Sequence, residues 1–204
     1  MQSKINAAKN IGLSSPAKLF FPLLFIFTVT INAWLCDDSY ITFRTVYNFI
    51  HGYGLRWNII ERVQTYTHPL WMFLISIFYF FTREVYFTNI YLSIFISAVV
   101  IYLFVIKLAK SDFSAIVGIL ILTFSRSFIT YSTSGLENPL SHLLAICFFI
   151  LYLKGKHDPR TLFLLSLAAS LSMLNRMDTI LIFLPPLIYM IFLLKLKIKQ
   201  KVYA

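Results

Sequence analysis

Two adjacent carboxylates, Asp37 and Asp38, follow directly on a long apolar run and are the first acidic residues in the chain. An Asp at a membrane surface can act as a general base, with its neighbour raising its pKa or helping to hold a divalent cation. A plainer use also fits, with Asp37 as the N-cap of a helix beginning near Asp38. The two uses are compatible, because a cap fixes the backbone of a reacting residue. Glu137 offers a third carboxylate. It follows Ser134-Gly135 and precedes Pro139, so it can face the Asp pair or simply favour the N-terminus of the next helix. Arg126 and Arg176 fall near the ends of apolar runs, where a guanidinium can hold a lipid phosphate through paired hydrogen bonds. For Arg126 the simpler reading is a cation snorkelling to the interface. His51 and His68 lack a second His or Cys at ligand spacing, so a zinc site is not indicated. His142 lies one turn into an apolar run and is read as a contact between helices. Cys36 and Cys147 sit in apolar segments at different depths, which disfavours a disulfide.

The elements that must position these groups are membrane helices. The 204 residues are 59% hydrophobic and 13% charged, with 21 Phe, 12 Tyr and 3 Trp and a mean hydropathy of +0.77. Soluble domains are nearer a quarter charged, and disordered chains are poor in aromatics. The formal charge of +10 is better spent on orienting helices in a bilayer than on nucleic acid, which is not an expected partner. An uncharged run at residues 19–36 reaches roughly 27 Å at ~1.5 Å per residue. Small residues do not lead into Cys36 as a cleavage site requires, so the run is read as a span rather than a signal peptide. Further spans are expected at about 88–106, 113–131, 138–153, 161–175 and 179–194, with an outer loop at 37–87. The apolar stretch at 69–81 is short, starts at Pro69 and ends at Thr82-Arg83-Glu84, which suits a re-entrant or interfacial helix.

Charge asymmetry supports that choice. With the N-terminus inside and 69–81 not crossing, twelve basic residues lie inside and six outside, for a net charge of +10 inside and 0 outside. A seventh crossing would move Lys107, Lys110 and the C-terminal Lys cluster to the other side and erase the difference. The reading is six spans with both termini cytoplasmic. Trp34, Trp57 and Trp71 are expected in an outer interfacial belt, and Pro185-Pro186 to kink the last span. Within the outer loop, a helix-like stretch to Ile50 is expected to break at His51-Gly52-Tyr53-Gly54.

The loop also carries an ordered set of motifs. Asp37-Asp38-x-Tyr40-Ile41-x-x-Arg44, His51-Gly52-x-Gly54-Leu55-x-Trp57-Asn58, Glu61-Arg62-Val63 and Tyr66-Thr67-His68-Pro69-Leu70-Trp71 resemble the first outer loop of bacterial terminal arabinofuranosyltransferases. Ser134-Gly135-Leu136-Glu137-x-Pro139-Leu140 is similar to that family's second outer loop, and Arg176-x-Asp178 to its Arg-Pro-Asp stretch, with Met177 in place of the Pro. The resemblance implies an all-α, polytopic helical membrane protein with a GT-C-like core over residues 1–204. It implies an inverting glycosyltransferase that moves a sugar, arabinofuranose-like, from a polyprenyl-phosphate donor to a cell-envelope glycan or glycolipid. The setting would be the periplasmic face of a bacterial inner membrane. It places Asp37 and Asp38 in catalysis and Arg44, Tyr66, His68, Glu137, Arg176 and Asp178 in substrate binding. No cofactor is assigned, and a divalent cation at the Asp pair stays an open option. Such enzymes continue into more spans and a soluble outer domain, so a separate C-terminal half is an expected partner, beside membrane lipid. The competing reading is a non-catalytic membrane protein, a remnant or assembly partner of a split transferase. A transporter fits less well, because the charged groups gather at span ends rather than at mid-membrane.

Overall fold

The computed structural model describes residues 16–61, 63–156 and 158–202. Lys4, Lys9 and Arg62, which enter the charge argument, lie outside the described residues. The chain is all-helical, with no strand among the described residues: α1 (Pro16–Ile31), α2 (Asp37–Ile50), α3 (Pro69–Thr82), α4 (Tyr86–Leu103), α5 (Asp112–Phe124), α6 (Arg126–Tyr131), α7 (Asn138–Lys154), α8 (Pro159–Asn175) and α9 (Ile180–Val202). A π-helical turn, Phe104–Leu108, extends α4, and a 3₁₀ turn, Met177–Thr179, leads into α9.

Local chemistry fixes the boundaries. Pro69 stands at the start of α3 and Pro159 at the start of α8, where a missing N–H costs nothing. Ser111 and Ser114 form a capping box for α5, and the Asp158 carboxylate accepts from Thr161 N at 2.7 Å to cap α8. The Glu84 carboxylate accepts from the N–H groups of Tyr86 and Phe87, both at 2.8 Å, at the head of α4. His51 ends α2, and Gly52 and Gly54 follow at φ +83° and +86°, as the Gly pair predicts.

Three expectations change. The apolar run at 113–131 is two helices, because Ser125 is extended and its hydroxyl accepts from Phe128 N, starting α6 afresh. Asp37 is the first helical residue of α2, not its N-cap; Cys36 holds that position, and the Asp37 carboxylate accepts from Asp38 N at 3.1 Å. The helix of the first run ends at Ile31, five residues before Cys36.

Three apolar clusters hold the bundle together. The first joins α2, α3, α4 and α7 around Trp71, Met72, Ile75 and Ile96. The second joins α1, α4, α5 and α6 around Phe25, Ile101 and Ile119, and the third joins α7, α8 and α9 around Phe148, Leu165 and Phe183. α4 and α7 thus serve two clusters each. At the second, Gly118 of α5 receives the Phe104 ring, whose Cζ lies 2.4 Å from where a Cβ would stand. The outward faces are apolar too: Leu181, Ile182, Ile188 and Phe192 on α9 and Phe113 and Ile121 on α5 are exposed. Exposed apolar side chains in this number suit a surrounding of lipid or of a partner rather than water.

By length and composition two segments can cross a bilayer, Tyr86–Leu108 and Met177–Leu194. The other four expected spans contain α1 (16 residues), α5 (13), α7 (17) and α8 (17). Helix length therefore does not establish the count of six, which rests on the charge asymmetry and on local accommodation by the bilayer.

Candidate functional site

The loop between α6 and α7 forms the centre of the site, and backbone groups hold it. Ser134 O accepts from Cys36 N at 2.9 Å, just before α2. Gly135 O accepts from Trp71 Nε1 at 2.9 Å, on α3, and from Asn89 Nδ2 at 3.4 Å, on α4. Glu137 O accepts from Asn175 Nδ2 at 3.0 Å, at the end of α8. One short loop thus ties four elements that are distant in sequence. It fits because residue 135 is Gly. Its φ is +89°, and a Cβ there would lie 2.5 Å from Ser39 Cβ and 2.7 Å from Ser39 Oγ.

Glu137 precedes α7 but makes no capping hydrogen bond. Its carboxylate turns inward, 9% exposed as a residue, and its two oxygens have different partners. Oε2 lies 3.3 Å from His68 Nδ1, and Oε1 lies 3.7 Å from Arg176 Nη1. His68 Nε2 in turn lies 2.8 Å from Thr42 Oγ1 on α2. Burial holds the His68 pKa below the ordinary histidine value, and the Glu137 charge offsets part of that. A neutral imidazole satisfies both contacts if Nδ1–H donates to the carboxylate and Nε2 accepts from the hydroxyl. Carboxylate, imidazole and hydroxyl are in the order of a nucleophilic triad, but Thr42 is only 1% exposed and cannot meet a substrate. The arrangement positions Glu137 instead.

Arg176 closes the cluster from the α8–α9 connection. Its Nε donates to Asp178 Oδ1 at 2.8 Å and its Nη1 to Asn138 Oδ1 at 3.4 Å. The hydrogen bond from Arg176 holds the Asp178 carboxyl below the usual carboxylate range, and Asp178 raises the guanidinium correspondingly. The Arg176 side chain is still 46% exposed, and its Nη2 has no partner among the described residues. A cation with a free edge beside a buried carboxylate can receive an anion at one side while holding its geometry on the other.

Of the residues expected from sequence, His68, Glu137, Arg176 and Asp178 are brought together. Asp37 and Asp38 lie exposed in the first turn of α2, directly after Cys36, which is bonded to the same loop. Arg44 is turned to other work: Nε donates to Trp57 O at 3.0 Å, Nη2 to Asn58 Oδ1 at 3.2 Å, and the guanidinium stacks on the Trp57 ring at 4.6 Å. It fastens the outer loop to α2. Tyr66 lines a cavity of ≈ 480 Å³ with Phe49, Leu55 and Gln64, and makes no hydrogen bond to Glu137 or Arg176 among the described residues. Trp71 is not an interfacial belt residue: it is fully buried, with its N–H spent on Gly135. Among the described residues no three His, Cys, Asp or Glu side chains converge as metal ligands, so the Asp37–Asp38 pair would need further ligands from a substrate to hold a divalent cation.

Sequence reasoning missed Thr42, Asn89 and Asn175, which brace the loop. Asn89 and Asn175 are fully buried in apolar helices, and a buried amide in such a helix is itself a signal of an interhelical hydrogen bond.

A family model described as Dolichyl-phosphate-mannose-protein mannosyltransferase matches residues 64–204. The match takes in His68, Glu137, Arg176 and Asp178; Asp37, Asp38 and Arg44 precede it. No curated protein and no solved structure matches the chain.

Proposed function

Because the chain belongs to the dolichyl-phosphate-mannose-protein mannosyltransferase family, membrane glycosyltransferases of the GT-C superfamily that draw on polyprenyl-phosphate sugars, we propose that the Glu137–Arg176 cluster is its donor site. The reading extends to a single-domain core over residues 1–204 with six spans, both termini cytoplasmic and the cluster facing the periplasm of a bacterial inner membrane. The outer-loop motifs alone favour an arabinofuranose-like sugar and a cell-envelope glycan or glycolipid acceptor.

The observation that carries the proposal is the half-exposed Arg176 guanidinium, fixed by Asp178 and set against the buried Glu137. The donor phosphate lies against the free Nη2 edge. Asp37 or Asp38, one turn from the loop, takes the proton of the acceptor hydroxyl as its oxygen attacks the anomeric carbon from the face opposite the phosphate. The new C–O bond forms, the bond to the phosphate oxygen breaks with its electron pair, and the configuration inverts. Negative charge grows on the departing polyprenyl phosphate, where Arg176 offsets it. Glu137, held by His68, keeps Arg176 from swinging to the phosphate alone and leaves an acceptor for a sugar hydroxyl. Lipid-linked sugar explains why the transferase is built of membrane helices.

Turnover of a synthetic polyprenyl-phosphate sugar by the purified chain tests this. Arg176→Lys is expected to slow transfer and Arg176→Gln nearly to eliminate it, since an ammonium cannot keep Asp178 on one edge and a phosphate on another. Equal rates for wild type, Lys and Gln would remove Arg176 from the donor site.

A further inference from the structure

The ends of α1, α5 and α6 enclose a second cleft, of ≈ 470 Å³, which the proposed reaction does not use. Thr28 and Asn32 line it from α1, Thr123 and Phe124 from α5, and Arg126 and Thr130 from α6. It contains one cation and no acid. Most of its polar groups are already engaged: the Thr28 hydroxyl donates to Leu24 O and the Thr123 hydroxyl to Ile119 O, both at 2.8 Å, and Asn32 Nδ2 donates to Thr28 O at 2.8 Å. Arg126 is the exception. Its guanidinium makes no hydrogen bond or ion pair among the described residues, and it lines this open cleft, exposed to an incoming group.

The walls continue as apolar tracks. Helical spacing puts Leu24 and Phe20 below Thr28 on α1, and Ile121 and Val117 below Phe124 on α5. Phe20, Val117, Ile121 and Phe124 are all exposed. A free anion could satisfy Arg126 but would leave these tracks unused; an anionic head carrying apolar chains matches both. The cleft is also linked to the site loop. Trp34, another lining residue, donates from Nε1 to Thr130 O at 3.0 Å and from its backbone N to Thr133 Oγ1 at 3.4 Å, next to Ser134 and Gly135.

We propose that this cleft binds an anionic glycerophospholipid, its phosphodiester paired with Arg126 and hydrogen-bonded by the Thr130 hydroxyl, its acyl chains lying along Phe20 of α1 and Ile121 and Val117 of α5. The lipid braces α6 and, through Trp34, the 130–135 segment. This site is independent of the reading of Arg176, and its test needs no turnover.

Native mass spectrometry of the purified full chain, exchanged into detergent with dioleoyl phosphatidylglycerol or dioleoyl phosphatidylcholine, reads the binding directly. Wild type is expected to retain one phosphatidylglycerol at least tenfold more strongly than phosphatidylcholine. Arg126→Gln should lose about tenfold of that affinity and Arg126→Glu more, from the loss of a charge-assisted hydrogen bond, with phosphatidylcholine, whose phosphodiester is offset by its own choline cation, weakened less and melting temperature in detergent unchanged. Three results would overturn the proposal: equal retention of the two lipids by wild type, equal phosphatidylglycerol retention by wild type and Arg126→Gln, or displacement of phosphatidylglycerol by millimolar inorganic phosphate, which would make the cleft a free-anion site.

Discussion

Gly135→Ala puts the keystone role of the α6–α7 loop to a quantitative test. Two costs arise at this position. Holding an Ala at φ +89° costs about 1–2 kcal/mol by the left-handed penalty. The new Cβ would also lie 2.5 Å from Ser39 Cβ, 2.7 Å from Ser39 Oγ and 3.0 Å from Leu35 Cδ2, well inside the carbon contact optimum of about 3.5–4.0 Å. Relieving such overpacking costs about 1–3 kcal/mol. Together they amount to about 2–5 kcal/mol. Gly52 is the internal control, since it has φ +83° but nothing within 4 Å of a Cβ, so Gly52→Ala carries the backbone cost alone. Adding Ser39→Gly removes two of the three clashing atoms and should restore about 1–3 kcal/mol of the Gly135→Ala loss, measured as a double-mutant cycle. Reversible unfolding in mixed micelles gives the stabilities. If Gly135→Ala loses no more than Gly52→Ala, the loop is not wedged against α2 and the account of how Glu137 is positioned fails.

Three further predictions concern the site and its placement. Asp37→Asn, and less sharply Asp38→Asn, should lower glycosyl transfer by about 10²–10⁴ while leaving membrane insertion intact, because neither side chain caps α2; near-wild-type transfer by both in a radiolabelled-sugar assay would end the catalytic assignment. Buried His68 has a folded pKa below the unfolded one, so the unfolded state binds more protons and stability is lost as pH falls below about 6.5; a melting-temperature profile from pH 8 to 5 should be flatter for His68→Gln than for wild type, and parallel profiles would show that His68 is not buried neutral. Single cysteines at Ile60, 92% exposed, and Met177 should react with an impermeant reagent from the outer side in a background with Cys36 and Cys147 replaced by Ser, and one at Lys156 should not; the reverse pattern would invert the topology.

Residue chemistry made the helical class and the ends of individual helices legible. Pro69 and the Gly52–Gly54 pair act within a few residues of themselves, so their consequences can be read from local sequence. Ser125 was missed because an uninterrupted apolar run hides a hydroxyl that caps one helix while ending another. The cluster of His68, Glu137, Arg176 and Asp178 was anticipated as a set of candidates. Its geometry was not, because the pairing of His68 with Glu137 depends on which way α3 and α7 face one another across 68 intervening positions of chain. Arg44 shows another limit of local reading. A cation in a dense motif reads as a substrate contact, and its stacking on Trp57 and hold on the loop emerge only in the fold. Trp71 misled for a related reason: an aromatic near a membrane end suits an interfacial belt by type, and only its buried N–H, taken by Gly135, shows that it is a fastener.

The loop is anchored through main-chain carbonyls at Ser134, Gly135 and Glu137, with the donors supplied by Cys36, Trp71, Asn89 and Asn175. A carbonyl is present whatever the side chain, so these bonds make no demand on the type of the loop residues that accept them; besides Gly135, Thr133 joins the fastening through its side chain, its Oγ1 accepting from Trp34 N at 3.4 Å. Position 136 can therefore be exchanged, and the acid at 137 shortened or neutralised, without unfastening the frame. This separates what holds the loop from what the loop offers a substrate, as a toolholder is separate from its bit. Substitution at 136 and 137 can therefore vary what the loop presents while the helices around it stay in register, a freedom that a loop anchored only by its own side chains would lack.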